Sequence, residues 1–341
     1  MTYKAKIKTA DLTIKKPRVN SLWVLLGVYI VSVVAVVYFT SQHFHSSLVQ
    51  ALIIALMATS VGFLVKQSGL VSFGHALFFG FSAYAIAILT QRFGFSIEIA
   101  IVLSIALSIL LGLICGFVFI RGIGIAFAML TLATAQAFHE VALRWRELAN
   151  GEDGMFINLP ESIFGMDSSL LYNPTVMLLI TSSVLAAVIV TLTLFSRSKY
   201  GLLTMAVRDN EERVRYIGHS AILPRVLIYV ISAAISSLGG VLFALYNTFV
   251  SPEILHWSFS GEALIMAIIG GVGFIWGPAL GAVAFYFLKE MVMGYTAYWA
   301  FFMGVLLILV TVVFPGGVAG VMHALYSKCY KIIKTWSNNE Q

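Results

Sequence analysis

Apolar residues occupy this chain in blocks of roughly twenty, separated by short stretches rich in charge, glycine or proline. A block of that length, wound as a helix rising about 1.5 Å per residue, crosses about 30 Å of hydrocarbon. The pattern predicts ten helices, at 21–40, 47–65, 74–91, 97–120, 123–143, 173–195, 225–249, 259–275, 278–296 and 298–315. Barrel strands would instead alternate polar and apolar positions in segments of about ten residues. The expected fold class is therefore all-α, a polytopic membrane protein with about ten transmembrane helices. In the third block, Gly69, Gly74, Gly80 and His75 predict a helix with a broken start.

Ten spans divide as five plus five, and an odd number per half inverts the second half relative to the first. The stretches "SFGHALFFGFSAYAIAIL" and "SFSGEALIMAIIGGVGF" share a Ser-Phe start and a spacing of small residues, which is the sequence support for a 5+5 inverted repeat. The expected organisation is a basic tail at 1–20, a membrane domain at 21–315 containing a polar loop at 197–224, and a second tail at 316–341. The first apolar block has the length of a full span and no small-residue cleavage site follows it. It reads as a retained span rather than a cleaved signal.

Composition agrees with the pattern. Of 341 residues, 60% are hydrophobic and 11% charged, where a soluble chain has about 25% charged residues. Membrane lipid is the surrounding this implies, and nucleic acid is not an expected partner. Charge then sets an orientation: with the N-terminus inside, 17 of the 21 Lys and Arg residues fall on the cytoplasmic side. Arg92, Arg144 and Arg146 lie outside and Lys289 lies within a span. The excess of inside cations predicts that both termini are cytoplasmic. Cys115 and Cys329 are too few and too separate for a disulfide framework or a metal site.

Candidate chemistry is sparse. The run "GGVGFIWGPALG" at 270–281 lacks the Lys-Ser/Thr of a phosphate-binding loop. Its Gly273, Gly277 and Gly281, four apart, predict close helix packing, with Pro278 opening the next helix. The stretch "GIGIAF" lacks the third glycine of a dinucleotide site. No catalytic triad, metal motif or paired carboxylates appear, so no enzyme activity, catalytic residue, metal or cofactor is expected. Charges inside a bilayer cost about 2.5–3.5 kcal/mol on insertion scales, so each needs a reason. Glu262 is the leading intramembrane charge. Lys289 and Glu290 either neutralise each other or bridge helices, and His75 caps or braces the broken helix. Gln136, His139 and Glu140 share one helix face as an interfacial polar cluster. Small and polar residues at Ser72, Gly74, His75, Thr131, Thr134 and Glu262 are the candidates to border a substrate pathway. The longest outer loop, 144–172, offers a docking place for a soluble partner.

One segment departs from the hydrophobic pattern. Residues 197–225 hold nine of the chain's 36 charged residues, and Gly201–Ile217 has no proline, so one or two short helices are predicted. A bare connector needs only about five residues. A mixed-charge helical block is better suited to seating in a protein cleft.

Five stretches carry a resemblance to a known family: "GLLTMAVRDNEERVRYIGHS", "SGLVSFGHALFFGFSAYAIA", "RGIGIAFAMLTLATAQ", "WRELANGEDGM" and "GGVGFIWGPALGA". Together, across 21–316, they resemble the permeases of high-affinity branched-chain amino acid ABC transporters, most of all the M-type subunit of the permease pair. The family's coupling motif E-A-A-x-x-x-G is partly kept: Glu212 and Gly218 match its ends, while Arg213 and Val214 replace the alanines. The resemblance implies a permease of the bacterial inner membrane that works with a second permease, two ATPase subunits and a periplasmic or lipid-anchored binding protein. It also implies that Arg208, Asp209, Asn210, Glu212 and Gly218 couple to the ATPase. Within the family, urea, short amides and other amino acids are the alternative substrates. An ATP-independent secondary transporter is the alternative of another class; such proteins usually carry paired intramembrane acids, and here Glu262 stands alone.

Overall fold

The computed structural model describes residues 36–38, 40–122, 124–314 and 316–322. The span predicted at 21–40 falls largely outside the described residues, as do the 1–20 tail, the end of the chain beyond 322, and Cys329. The chain separates into two units, at 1–41 and 42–341, and everything below concerns the second.

The other nine predicted blocks are all helical. They are α1 (Gln42–Ser68), α2 (His75–Gln91), α3 (Ile97–Phe119), α4 (Ile125–Arg144), α7 (Pro174–Arg197), α10 (Ile222–Asn247), α11 (Trp257–Gly270), α12 (Gly277–Met293) and α13 (Trp299–Val313). Short helices α5 (Arg146–Ala149) and α6 (Ser169–Tyr172) lie in the 144–172 segment, and α8 (Lys199–Asp209) and α9 (Glu211–Tyr216) in the charged block. Six helical segments among the described residues are long and apolar enough to cross a membrane: Gln42–Ser68, Ile97–Phe119, Ile125–Arg144, Pro174–Arg197, Ile222–Asn247 and Trp299–Met322. Helices α2 and α11 are apolar but shorter. The protein is a polytopic, all-α membrane protein.

Helices α1 and α10 form the centre. Most of their residues are buried, whereas α3, α4, α7 and α13 present broad apolar faces outward, as helices against lipid do. The packing exchanges partners between the two halves of the chain. Helix α1 is covered by the α11–α12 pair and α10 by the α2–α3 pair, while α1 and α10 pack on each other. The two stretches sharing a Ser-Phe start lie on α2 and α11, which hold equivalent places in this exchange.

Small residues permit the close approach. A Cβ at Gly62 of α1 would overlap the Pro278 ring, and one at Gly281 would overlap the backbone of Met266 and Gly270. The predicted glycine contact at 270–281 therefore holds for Gly277 and Gly281, but Gly273 faces open space and Gly270 takes its place. Pro278 sits in the first turn of α12, where its missing N–H has no helical partner to lose.

The 144–172 segment is a folded cap rather than a plain loop. Its strand β1 (Met155–Phe156) pairs antiparallel with β4 (Phe249–Val250), and β2 (Ser162–Ile163) pairs with β3 (Met166–Asp167). Met155, Ile157 and Ile163 are buried beneath it. The Asp167 carboxylate accepts from the Ser169 amide at 2.8 Å, which holds it below the usual carboxylate range. The β1–β4 pair anchors the segment leading from α10 to α11, where Thr248 adopts a left-handed conformation at φ 52°.

Candidate functional site

Helix α2 begins only after six residues of non-helical chain, 69–74, following the end of α1. The break has a physical cause. Gly69 ends α1 at φ 70°, in the left-handed region open to glycine, with its amide bonded back to the Val65 carbonyl at 3.0 Å. The interrupted backbone groups find side chains instead. Phe73 N donates to Thr131 Oγ1 at 3.1 Å, Gly74 N to Ser72 Oγ at 3.1 Å, and Ala76 N to Ser260 Oγ at 2.7 Å. A Cβ at Gly74 would lie 3.0 Å from both Thr131 Cβ and its carbonyl oxygen, so α4 closes directly over the break.

His75 braces this junction and does not cap it. Its Nε2 lies 2.6 Å from Ser232 Oγ on α10, and Ser232 in turn donates to the Ser60 carbonyl of α1 at 2.8 Å. With the Ser232 proton directed at Ser60, the imidazole must be the donor, which fixes the proton on Nε2. Ser236 Oγ donates to the His75 carbonyl at 2.9 Å. The rings of Phe78, Phe119 and Phe127 close around Tyr229, which also meets the His75 ring edge-on. Ser72, His75, Thr131, Ser232, Ser236 and Ser260 are completely buried. Four of the predicted pathway residues, Ser72, Gly74, His75 and Thr131, thus meet in one sealed polar joint between α1, α2, α4, α10 and α11. Thr134 does not join them; its hydroxyl bonds to the Leu130 carbonyl of its own helix.

Glu262 is on α11, two residues beyond Ser260, but turns to a different space. It forms an ion pair with Lys289 Nζ of α12 at 2.8 Å, the two side chains being 23% and 24% exposed. Lys289 also lies 4.2 Å above the Trp299 ring centre, a cation–π contact. Lys289 therefore bridges helices through Glu262. Its sequence neighbour Glu290 instead accepts from Ser47 Oγ at 3.2 Å. An open cavity of about 690 Å³ is lined by this pair together with Glu253, His256, Tyr286 and Glu290, and by apolar residues that include Ile54, Phe259 and Met266. His139 joins it from α4, its ring 5.0 Å from that of His256. The expected cluster of Gln136, His139 and Glu140 is present, with Gln136 Nε2 3.4 Å from His139 Nδ1 and 3.3 Å from Glu140.

At the C-terminal end of α1, about 20 Å along the helix from Ile54, lies the charged hairpin. Asn210 separates α8 from α9, and its side chain accepts from Arg213 N at 2.9 Å, an ordinary N-cap. Gly218 closes α9 at φ 85° with open space around it. Val207, Val214 and Ala221 form a small core with Leu203, so the hairpin folds as a unit. Glu211 holds it to α10, pairing with Arg215 of its own helix and with Arg225 at 2.8 Å. Asp209 and Glu212 are exposed. Arg208, although exposed, reaches back to the end of α1: its guanidinium bonds to the Lys66 carbonyl, and its side chain lies at Gly69. Gln67 is locked beside it, donating to Ser196 Oγ at 2.6 Å and accepting from Thr204 Oγ1 at 3.1 Å.

The profile of the family described as "Branched-chain amino acid transport system / permease component" matches residues 44–311. The protein named high-affinity branched-chain amino acid transport system permease protein LivM in Salmonella typhimurium is 25% identical over 287 residues, covering 78% of this chain and 67% of that protein. The Escherichia coli protein of the same name is 24% identical with the same coverage. The probable branched-chain amino acid transport permease protein LivM of Methanocaldococcus jannaschii is 28% identical over 95 residues, 27% of each chain. No solved structure matches this chain.

Proposed function

The chain belongs to the family of permease components of branched-chain amino acid transport systems, and from that premise we propose that it carries leucine, isoleucine and valine across the inner membrane of a bacterium. It works as one of two permeases, receiving substrate from a periplasmic or lipid-anchored binding protein and driven by two ATPase subunits. Both termini are cytoplasmic in this reading, so a reporter fused after Glu212 should read cytoplasmic and one at Asp153 should read external.

The observation that carries the ATP-driven reading is the tie from the charged hairpin to the end of α1. A secondary transporter has no need of an exposed helical lever tied to the end of α1. Here α8 and α9 end in Tyr216 and Ile217, 88% and 72% exposed, beside the left-handed Gly218. Those apolar side chains and the exposed Asp209 and Glu212 form the face that an ATPase cleft would grip. A displacement of the hairpin reaches Gly69 through Arg208, and from Gly69 it reaches the joint of Ser72, Gly74, His75 and Thr131. That joint is the constriction of the pathway, and Glu262 lies at its open side.

The test is uptake of labelled leucine, isoleucine and valine in cells producing the chain with its ATPases, second permease and binding protein. Uptake that stops with hydrolysis-dead ATPases, and that excess urea does not compete, supports the proposal. Uptake that persists on an ion gradient alone would move the chain to the secondary transporters.

A further inference from the structure

The Glu262–Lys289 pair differs from the other ion pairs in its surroundings. The pairs Arg144–Glu140 and Arg215–Glu211 are local bridges between residues four apart, and Arg225–Glu211 ties the charged hairpin to α10 away from the cavity. Glu262 and Lys289 instead join two helices inside the wall of a cavity, with most of each side chain removed from water. Desolvating such a pair costs energy that their attraction only partly returns, so a structural role alone is a weak reason for it.

The cavity is matched in charge and shape to a ligand carrying both an ammonium and a carboxylate. Lys289 is its single fixed cation, and it holds two partners at once, Glu262 at 2.8 Å and the Trp299 face at 4.2 Å. A cation with an aromatic alternative can release its carboxylate partner without being left alone. Glu262, once released, is a carboxylate facing the same space. The wall also carries Glu253 and Glu290, so a bare anion would meet three carboxylates against one ammonium. Ile54, Phe259 and Met266 add apolar lining for an aliphatic side chain.

We propose that Glu262 and Lys289 form a headgroup site for an α-amino acid, in which the ligand's ammonium replaces Lys289 at Glu262 and its carboxylate takes Lys289. One internal ion pair is exchanged for two ligand ion pairs, with no net change in charge. The aliphatic side chain lies against the apolar lining at Met266. This rests on the transport reading above and adds to it the residues that recognise the substrate's ends.

The experiment uses the full-length chain in lipid nanodiscs, with tryptophan emission as the readout because ligand binding moves Lys289 relative to Trp299. Leucine is compared with 4-methylpentanoate, which lacks the amine, and 3-methylbutylamine, which lacks the carboxylate. Leucine should give a saturable change that W299F abolishes. Each truncated analogue should bind roughly tenfold or more weakly, since each loses a charge-assisted contact. The carboxylate-only analogue should be the weaker, because of the acid excess. E262Q should erase the preference for leucine over 4-methylpentanoate, and K289M the preference for leucine over 3-methylbutylamine. The reversed pair E262K/K289E keeps the internal bridge and shows whether a lost signal comes from lost folding. Equal binding of all three ligands, or unchanged selectivity in both single variants, overturns the site. In cells, normal leucine uptake by E262Q and K289M overturns the site alone. Failure of the wild-type chain both to bind leucine and to support its uptake overturns the transport reading and this site with it.

Discussion

The Arg208 guanidinium donates to the main-chain carbonyl of Lys66, 142 residues away in sequence. The carbonyls ending α1 have no helical partners and carry the negative end of its dipole, so a cation there stabilises them by about 0.3–1 kcal/mol. The consequence is mechanical as well as energetic. Arg208 belongs to the hairpin, whereas Lys66 is three residues before the turn that leads to α2. R208M should therefore leave ATPase subunits bound but slow transport severalfold, with futile hydrolysis rising in vesicles. R208K, which restores the charge but not the fork, should recover only part. Loss of ATPase co-purification in R208M would instead make Arg208 a direct partner contact.

Gly69 and Gly218 share a left-handed backbone and differ in their surroundings. Alanine at either position costs about 1–2 kcal/mol from the backbone. At Gly69 the new Cβ would also sit 3.3 Å from Arg208 Cγ, while at Gly218 nothing lies within 4 Å. G69A should thus impair transport with normal subunit assembly. G218A should be mild, and G218V, whose branched side chain resists this conformation, should weaken assembly. Thermal unfolding of the purified chain and ATPase pull-down separate the two outcomes.

Under the proposed coupling role, the exposed tip of the hairpin predicts which residues dominate ATPase attachment. Buried aromatic anchors carry most of the energy at interfaces, whereas an exposed ion pair contributes about 0–1 kcal/mol. Y216A and I217A should each reduce ATPase co-purification more than E212K does, by roughly tenfold for Tyr216. A larger loss in E212K would return the coupling to charge, where the sequence alone directs attention.

The helices were legible because a bilayer demands long apolar blocks, and all nine described blocks became helices within a few residues of their predicted bounds. The broken start of α2 was legible too, because Gly69 and Gly74 are residues a helix tolerates poorly. Pairings between distant residues were not. Nothing in the sequence distinguishes Glu262 from Glu290 as the partner of Lys289, since the choice depends on how α11 packs on α12. Likewise Arg208 reads as one charge among nine in a polar block, and only the fold brings it to Lys66. The strands in the 144–172 segment were hidden for another reason. A two-residue pairing such as Met155 with Val250 has no periodicity to detect.

The sealed joint and the open cavity differ in access, and that difference is measurable. Ser72 and Thr131 are completely buried, held by hydrogen bonds to the backbone around the break, while Ser258 lines the cavity. Serine and threonine are close to cysteine in size, so S72C, T131C and S258C perturb the packing little, although S72C loses the bond from Gly74 N and T131C the bond from Phe73 N. S258C should react with a small water-soluble thiol reagent in the resting protein. S72C and T131C should be protected there and become reactive only while ATP is being turned over, because the constriction must open for substrate to pass. The native Cys115 is buried against α10, and the cysteine-free C115A/C329A chain provides the background. The reading depends on the contrast between states rather than on any single rate. If S72C and T131C stay protected in resting, ATP-bound and turnover conditions, the joint is a permanent brace, and the pathway runs elsewhere along α11.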